Sequence, residues 1–137
     1  MPFKRASTIV GPPADALAEA LESVAADDLQ VIAEFDAQSY QLLHVADDVA
    51  EQHGGLDGVE DEADSLFDYY HIDFLERDLL ADMLWLGEVG TFVTFLDHGI
   101  VVRAHADSAA VFVALDVTAS VDDVQITIEN TLHEAHG

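Results

Sequence analysis

The chain has 137 residues, half of them apolar, so it is long enough for one domain with a single hydrophobic core and too apolar to stay disordered. It carries 28 acidic residues against four basic ones, and the net charge is −24. Without cysteine it has neither disulfides nor thiolate chemistry, and the lack of a basic stripe disfavours direct binding of nucleic acid, which we do not expect.

The acidity favours a protein that works in concentrated salt. A charge this large repels itself at low ionic strength, whereas at about 1 M salt the Debye length is about 3 Å and the repulsion is nearly lost. Two alternatives are a nucleic-acid mimic and an acidic tail for a basic partner, but the acids are spread along the chain rather than grouped in one block. The sequence also shows no stretch typical of a signal peptide or a bilayer-spanning segment, so we expect a cytoplasmic, salt-adapted protein without membrane association.

The first half of the chain predicts an arm, a helix and a hairpin. Residues 1–12 lack a clear period, and we expect a flexible arm, with 13–137 as the single domain. An arm that docks a partner is the alternative. Apolar residues at helical spacing then indicate a first helix, and alternation of apolar and polar residues over 29–35 and again over 40–45 indicates two paired strands.

Residues 59–84 predict two consecutive helical segments. The first lies in the most acidic stretch of the chain and has an apolar stripe on one face. The second covers roughly 72–84. The apolar residues of the two segments are Val59, Ala63, Leu66 and Tyr70, followed by Phe74, Leu75, Leu79, Met83 and Leu84.

The second half predicts three strands and a final helix. Tight turns separate strands at 91–96, 100–106 and 109–117, and Ser120 is placed to cap the helix that follows. The run 109–117 is almost wholly apolar, which is typical of a central strand rather than an edge.

This order of elements predicts an α/β protein of the α+β type. We expect a single five-stranded, mainly antiparallel sheet packed with N-terminal, middle and C-terminal helices, and the last strand should lie inside the sheet. Over residues 14–135 the order resembles the profilin-like folds, which include the roadblock and longin domains.

Two sequence runs carry a further resemblance. The runs DDLQVIAEFDAQSYQLLHVADDV (27–49) and LGEVGTFVTFLDHGIVVRAHADSAAVFVALD (86–116) resemble a family of small, uncharacterised haloarchaeal proteins. The resemblance supports adaptation to salt and implies no catalytic residues.

The roadblock resemblance implies a non-enzymatic, dimeric platform, often for small GTPases. Domains of this type dimerise through a helix and the neighbouring sheet edge, which implies an interface formed by residues 59–84 and the strand at 91–96. Trp85, Phe92 and Phe95 are the apolar residues expected there, because aromatic side chains are enriched at interface cores. The alternative is that all three are ordinary core residues.

The histidines are the candidates for a polar site. His44 and His105 lie near strand ends, and with Arg103 and Glu34 they would form a patch for a small ligand or a general acid–base pair. The ordinary alternative is a partly exposed sheet histidine. His133 and His136, near Glu134, have the spacing of metal ligands but lie at the chain end, where a solvated tail is the simpler interpretation.

No motif of a hydrolase, a metalloprotease, a calcium loop or a nucleotide-binding loop occurs in the sequence. We therefore expect a non-catalytic interaction or regulatory module, without a cofactor, that forms a homodimer or binds a protein partner.

One alternative is a small-ligand sensor with a pocket between the sheet and the 59–84 helices. The residues expected to line that pocket are Tyr40, Tyr70, His71 and Phe74. A second alternative, an enzyme, requires His44, His105 and a carboxylate to converge.

Overall fold

The structure, a computed structural model, describes residues 2–83, 85 and 90–133, and for residues 70–73 it describes the backbone only. Within these residues lie six strands: β1 (Phe3–Lys4), β2 (Leu29–Asp36), β3 (Tyr40–Val45), β4 (Thr91–Leu96), β5 (Gly99–Ala106) and β6 (Ala109–Leu115). The α-helices are α1 (Pro12–Val24), α2 (Asp47–Gln52), α3 (Leu56–Met83) and α4 (Val121–Ile128). A short 3-10 turn (Ala26–Asp28) precedes β2, and a π-helical turn (Glu129–His133) follows α4.

All the strands belong to one antiparallel sheet with the order β1-β3-β2-β6-β5-β4. The apolar strand β6 pairs with β2 on one side and β5 on the other, so the predicted central position is confirmed. The sheet has six strands rather than the expected five, because Phe3 and Lys4 pair with Val45 and His44 at one edge. The segment expected to be a free arm therefore begins with a strand.

Helices cover the two faces of the sheet. On one face α1 and α4 pack over the larger core, in which Leu17, Leu21 and Ile128 are fully buried against the alternate residues of β5 and β6. On the other face α2 and the first half of α3 pack over a smaller core that contains Leu42, Val49 and Val59. We call these the α1 face and the α3 face.

Helix α3 is continuous over 28 residues, or about 42 Å, where the sequence favoured two segments. No proline or glycine occurs between Gly58 and the end of the helix, so no residue forces a break. Ser120 accepts a hydrogen bond from the Asp123 amide at 3.3 Å, which confirms the predicted cap of α4. No helix among the described residues is long and apolar enough to cross a bilayer.

Candidate functional site: an exposed apolar surface and the groups around it

The outer side of α3 is apolar although it faces solvent. Leu75, Leu79 and Met83 recur every four residues and are 66%, 57% and 70% exposed. Tyr69 lies earlier on the helix and is also exposed, and Trp85, just beyond the helix, is 89% exposed. The opposite side of the same helix carries the residues that face the sheet, including the buried Val59. Helix α3 therefore has two apolar sides, and the described residues cover only one of them.

The edge strand β4 is also unprotected. Within the described part of the chain it pairs with β5 alone, so its outer backbone groups are free to pair with another strand. Its sequence, TFVTFL, contains none of the charges or prolines that usually prevent edge pairing. Val93, Phe95 and Leu96 are exposed, Phe95 by 71%.

We call these exposed residues of α3 and β4, together with Trp85, the apolar surface. Of the three predicted interface residues, Trp85 and Phe95 belong to it. Phe92 is partly buried and lies on the α3 face, since it pairs with Arg103, whereas Phe95 pairs with the buried Ile100 and lies on the α1 face.

Aromatic and basic side chains join α3 to the strands beside β4. The His105 ring lies edge-on to Phe74 at 5.2 Å and to Phe92 at 5.6 Å between ring centroids. The Arg103 guanidinium stacks on Phe92 at 4.9 Å. The Arg77 side chain of α3 donates a 2.7 Å hydrogen bond to the Asp107 carbonyl oxygen in the β5–β6 turn. These contacts hold the second half of α3 against β5 and near Phe92 of β4. The exposed Val93 and Phe95 of the apolar surface lie on the opposite face of the β4 edge, because they pair with the core residues Val102 and Ile100.

The structure does not bring the residues of the predicted polar patch together. Arg103 and His105 lie on the α3 face, whereas His44 lies on the α1 face, where its Nδ1 atom is 3.8 Å from a carboxylate oxygen of Glu22. His44 pairs with Ile32, which is in the larger core, and strands β2 and β6 separate His44 from His105. The two histidines therefore cannot act on one ligand or as an acid–base pair.

His44 is almost fully buried, and its surroundings disfavour the charged ring. Burial lowers the pKa of His44, the Glu22 carboxylate opposes that change, and the Lys4 ammonium adds to it, so the pKa lies below the usual 6.5. The unfolded chain therefore binds a proton at His44 more readily than the folded chain does.

Protonation of His44 should make the stability of the fold depend on pH. We expect the free energy of unfolding to fall as the pH drops below 6.5, because there the unfolded state gains a proton that the folded state lacks. Substitution of His44 by Gln should weaken this dependence between pH 7.5 and 5, measured by urea unfolding. The matched control, substitution of the exposed His98 by Gln, should leave it unchanged, and an equal change in both variants would contradict the assignment.

Glu34 has a role that the sequence did not indicate. Its side chain is completely buried in β2, and its carboxylate accepts hydrogen bonds from the backbone amides of Thr8, Ile9 and Val10 at 3.0, 3.1 and 3.0 Å. It also accepts hydrogen bonds from the Ser7 hydroxyl and, at 2.7 Å, from the Gln41 side-chain amide. Residues 7–10 of the expected arm are therefore hydrogen-bonded around a buried carboxylate.

Burial by itself raises the pKa of the Glu34 carboxyl, but the hydrogen bonds from Ser7 and from the amides of Val10, Thr8 and Ile9 outweigh it and hold the pKa below the usual 4.5. The carboxylate is thus charged at neutral pH and is stabilised by donors rather than by a cation. The only signal in the sequence was an acid inside an apolar strand, VIAEF, and the donors could not be identified without the tertiary structure.

An apolar cavity lies between the sheet and the first half of α3. Of the four residues expected to line a sensor pocket, Tyr40 lines this cavity and Phe74 does not, while the side chains of Tyr70 and His71 lie outside the described residues. Burial and the hydrogen bond to the Asp64 carboxylate raise the pKa of Tyr40 far above its usual value, so the phenol stays neutral.

His133, the last described residue, is partly buried, and both of its ring nitrogens lie near oxygen atoms. Its Nδ1 atom is 3.0 Å from a Glu129 carboxylate oxygen, and its Nε2 atom is 3.1 Å from the His105 carbonyl oxygen. Glu134 and His136 lie outside the described residues. Among the residues that are described, no group of three or more histidines and acids could hold a metal ion.

The model of a family described as a domain of unknown function, DUF7522, matches residues 15–136 of the chain. The chain belongs to the DUF7522 family. A comparison of this DUF7522 protein with curated proteins found no match.

Solved structures similar to this DUF7522 protein include three of MglB. Myxococcus xanthus MglB is 18% identical with a TM-score of 0.58, and the alignment covers 85% of each chain. A structure described as MglB with tetrameric arrangement is 15% identical with a TM-score of 0.63, covering 96% of this chain and 93% of that one. The gliding protein MglB from Thermus thermophilus is 15% identical with a TM-score of 0.61, covering 94% and 92%. These similarities confirm the expected roadblock/longin-like fold.

Proposed function

We propose that this DUF7522 protein is a non-catalytic regulatory module that forms a homodimer through the apolar surface and works in a salt-rich cytoplasm. The observation that carries the proposal is the pair of unpartnered apolar elements, the outer side of α3 and the edge strand β4. Because an exposed strand edge pairs readily with a copy of itself, the same patch can serve both partners of a two-fold dimer.

Two further observations support this function. The MglB structures share the fold, and one of them is described with a tetrameric arrangement, which is a property of that protein. His44 and His105 lie on opposite faces of the sheet. The enzyme alternative required these two histidines to lie together with a carboxylate, so the structure does not support it.

Substitution of Leu79 by Asp tests the dimer. Burial of one leucine side chain contributes about 2 kcal/mol, and a two-fold interface contains it twice, so the variant should lose about 4 kcal/mol, or roughly a thousandfold in the dissociation constant. In 2 M KCl, light scattering after size exclusion should give the wild type twice the 14.8 kDa chain mass and the variant a single chain mass.

The matched control is substitution of Ile126 by Asp. Ile126 lies on α4, not on α3 or β4, and is 58% exposed, against 57% for Leu79. This variant should remain a dimer. A wild type that stays monomeric at 100 μM chain, or a dimer lost in the Ile126 variant and kept in the Leu79 variant, would overturn the proposal.

A further inference from the structure

The cavity between the sheet and α3 has the size of a small ligand. Its volume is about 200 Å³ and it is partly open to solvent. Strands β2, β3 and β6 form its floor, and α2 and the first half of α3 form its other walls. An apolar cavity of about 150 Å³ accepts benzene, so this one has room for a single aromatic ring with a short chain.

The walls of the cavity favour an aromatic body. Four aromatic side chains line it, Phe35, Tyr40, Phe67 and Phe112, and most of the remaining lining is aliphatic. Rings stack favourably on such side chains, and their faces also attract cations. The ring of Tyr40 is 5.2 Å from that of Phe67 and is tied to α3 by the hydrogen bond to Asp64, which keeps this wall in place.

The polar groups around the cavity select against an anion. The Glu62 carboxylate lines it and is largely exposed, and the His53 Nε2 atom lies 3.5 Å from a Glu62 oxygen. Of the residues that the structure describes, no lysine or arginine lines the cavity. Glu62 thus presents negative charge beside an apolar interior, and the net charge of −24 adds to it.

We infer that this cavity binds a small arylalkylammonium ion, with the aromatic ring between Phe67 and Phe112 and the ammonium group beside Glu62. The apolar body is buried by the aromatic walls, and the positive charge stays at the solvent side, where Glu62 balances it. This inference does not rest on the dimer, because every lining residue belongs to one copy of the chain.

The probe for this site is the 2-phenylethylammonium ion, compared with neutral 2-phenylethanol and anionic phenylacetate, each titrated to 10 mM in 0.5 M KCl and followed by NMR. We expect the amine to bind about threefold more tightly than the alcohol, the effect of one exposed ion pair, and the carboxylate to show no saturation. Shifts should centre on Phe67 and Phe112. Equal binding of all three probes, or no saturation with the amine, would overturn the inference.

Three leucine variants and two glutamine variants locate the site. Ala63 of α3 and Ala114 of β6 line the cavity, and leucine at either position should fill it and abolish amine binding, whereas leucine at the exposed Ala16 of α1 should leave binding unchanged. Substitution of Glu62 by Gln should remove the threefold preference for the amine over the alcohol, and substitution of Glu76 by Gln, farther along α3, should keep it.

The dimer and the ligand can be tested separately. The titration is repeated with the monomeric Leu79→Asp variant, in which the lining of the cavity is intact. Binding by both forms supports the inference even if the dimer proposal fails. Binding that survives leucine at Ala63 and at Ala114 in folded protein would show that the amine binds elsewhere, and the inference would be wrong.

Discussion

Substitution of Glu34 by Gln is expected to lower the free energy of unfolding by about 3 kcal/mol. The glutamine amide places one acceptor and one donor where the carboxylate accepts hydrogen bonds from five groups, so several donors of the N-terminal segment and Gln41 lose their partner. Each charge-assisted hydrogen bond contributes about 1.5 to 3 kcal/mol, but the released segment regains water, which limits the total.

Urea unfolding and hydrogen exchange measure this effect. The amides of Thr8, Ile9 and Val10 should exchange faster in the Glu34 variant, while amides of the central strand β6 should lose protection only by the change in global stability. Substitution of the exposed Glu51 by Gln removes the same charge from α2 and should change the stability little. Protected amides at 8–10 in the Glu34 variant would show that the carboxylate does not hold the segment.

The Glu34 contribution also has a defined pH dependence. Since the folded pKa lies below 4.5, the carboxylate stabilises the fold fully above pH 4.5, and this contribution is lost as the pH falls through the folded pKa. The difference in unfolding free energy between the wild type and the Gln variant should therefore shrink below pH 4.5. A difference that stays constant down to pH 2 would contradict the low pKa.

The second large effect is expected from salt. Lowering KCl from 2 M to 0.1 M lengthens the Debye length from below 3 Å to about 10 Å. The 28 acidic side chains then repel one another more strongly, because their charges are less screened. We expect the melting temperature to fall by about 10 °C, which corresponds to roughly 3 kcal/mol for a chain of this length. Differential scanning calorimetry in a KCl series measures it.

The shape of the salt curve separates charge screening from general salt exclusion. Screening should be nearly complete by about 1 M, whereas exclusion of salt from the surface continues to stabilise at higher concentrations. A variant with Asp61, Asp68 and Glu76 of α3 changed to their amides should show a smaller fall, since these acids are exposed. A melting temperature that is flat over the series would refute adaptation to salt.

The structure explains why composition and periodicity predicted the elements so well. Strands β2, β4, β5 and β6 have alternating or wholly apolar sequences, and the helices have apolar stripes, so local pattern and burial agree. The continuous apolar run of β6 needs cover on both faces, which only an interior position in the sheet provides. The exposed Trp85 and Phe95 were likewise expected from the sequence, whereas Phe92 is partly buried on the opposite face of β4 from Phe95.

Other features depend on groups that are distant in the chain. Strand β1 and the segment around Glu34 were missed, because their partners are distant in the chain. Phe3 pairs with Val45, and the donors of Ser7 to Val10 lie 24 to 27 residues from Glu34, so no local period records either. The registers of β3 and β5 place His44 and His105 on opposite faces of the sheet, and a shift of one residue would have exchanged the face of either.

Hydrophobic periodicity and composition were therefore sufficient to predict most of the helices and strands, the central position of β6 and the high negative charge, because these properties act locally or on the whole chain. The three-dimensional contacts were needed to find strand β1, the continuity of α3, the partners of the polar side chains, the exposed apolar side of α3 and the cavity beneath its first half. These depend on strand register and on how α3 packs over the sheet, which arise from contacts between residues far apart in the chain.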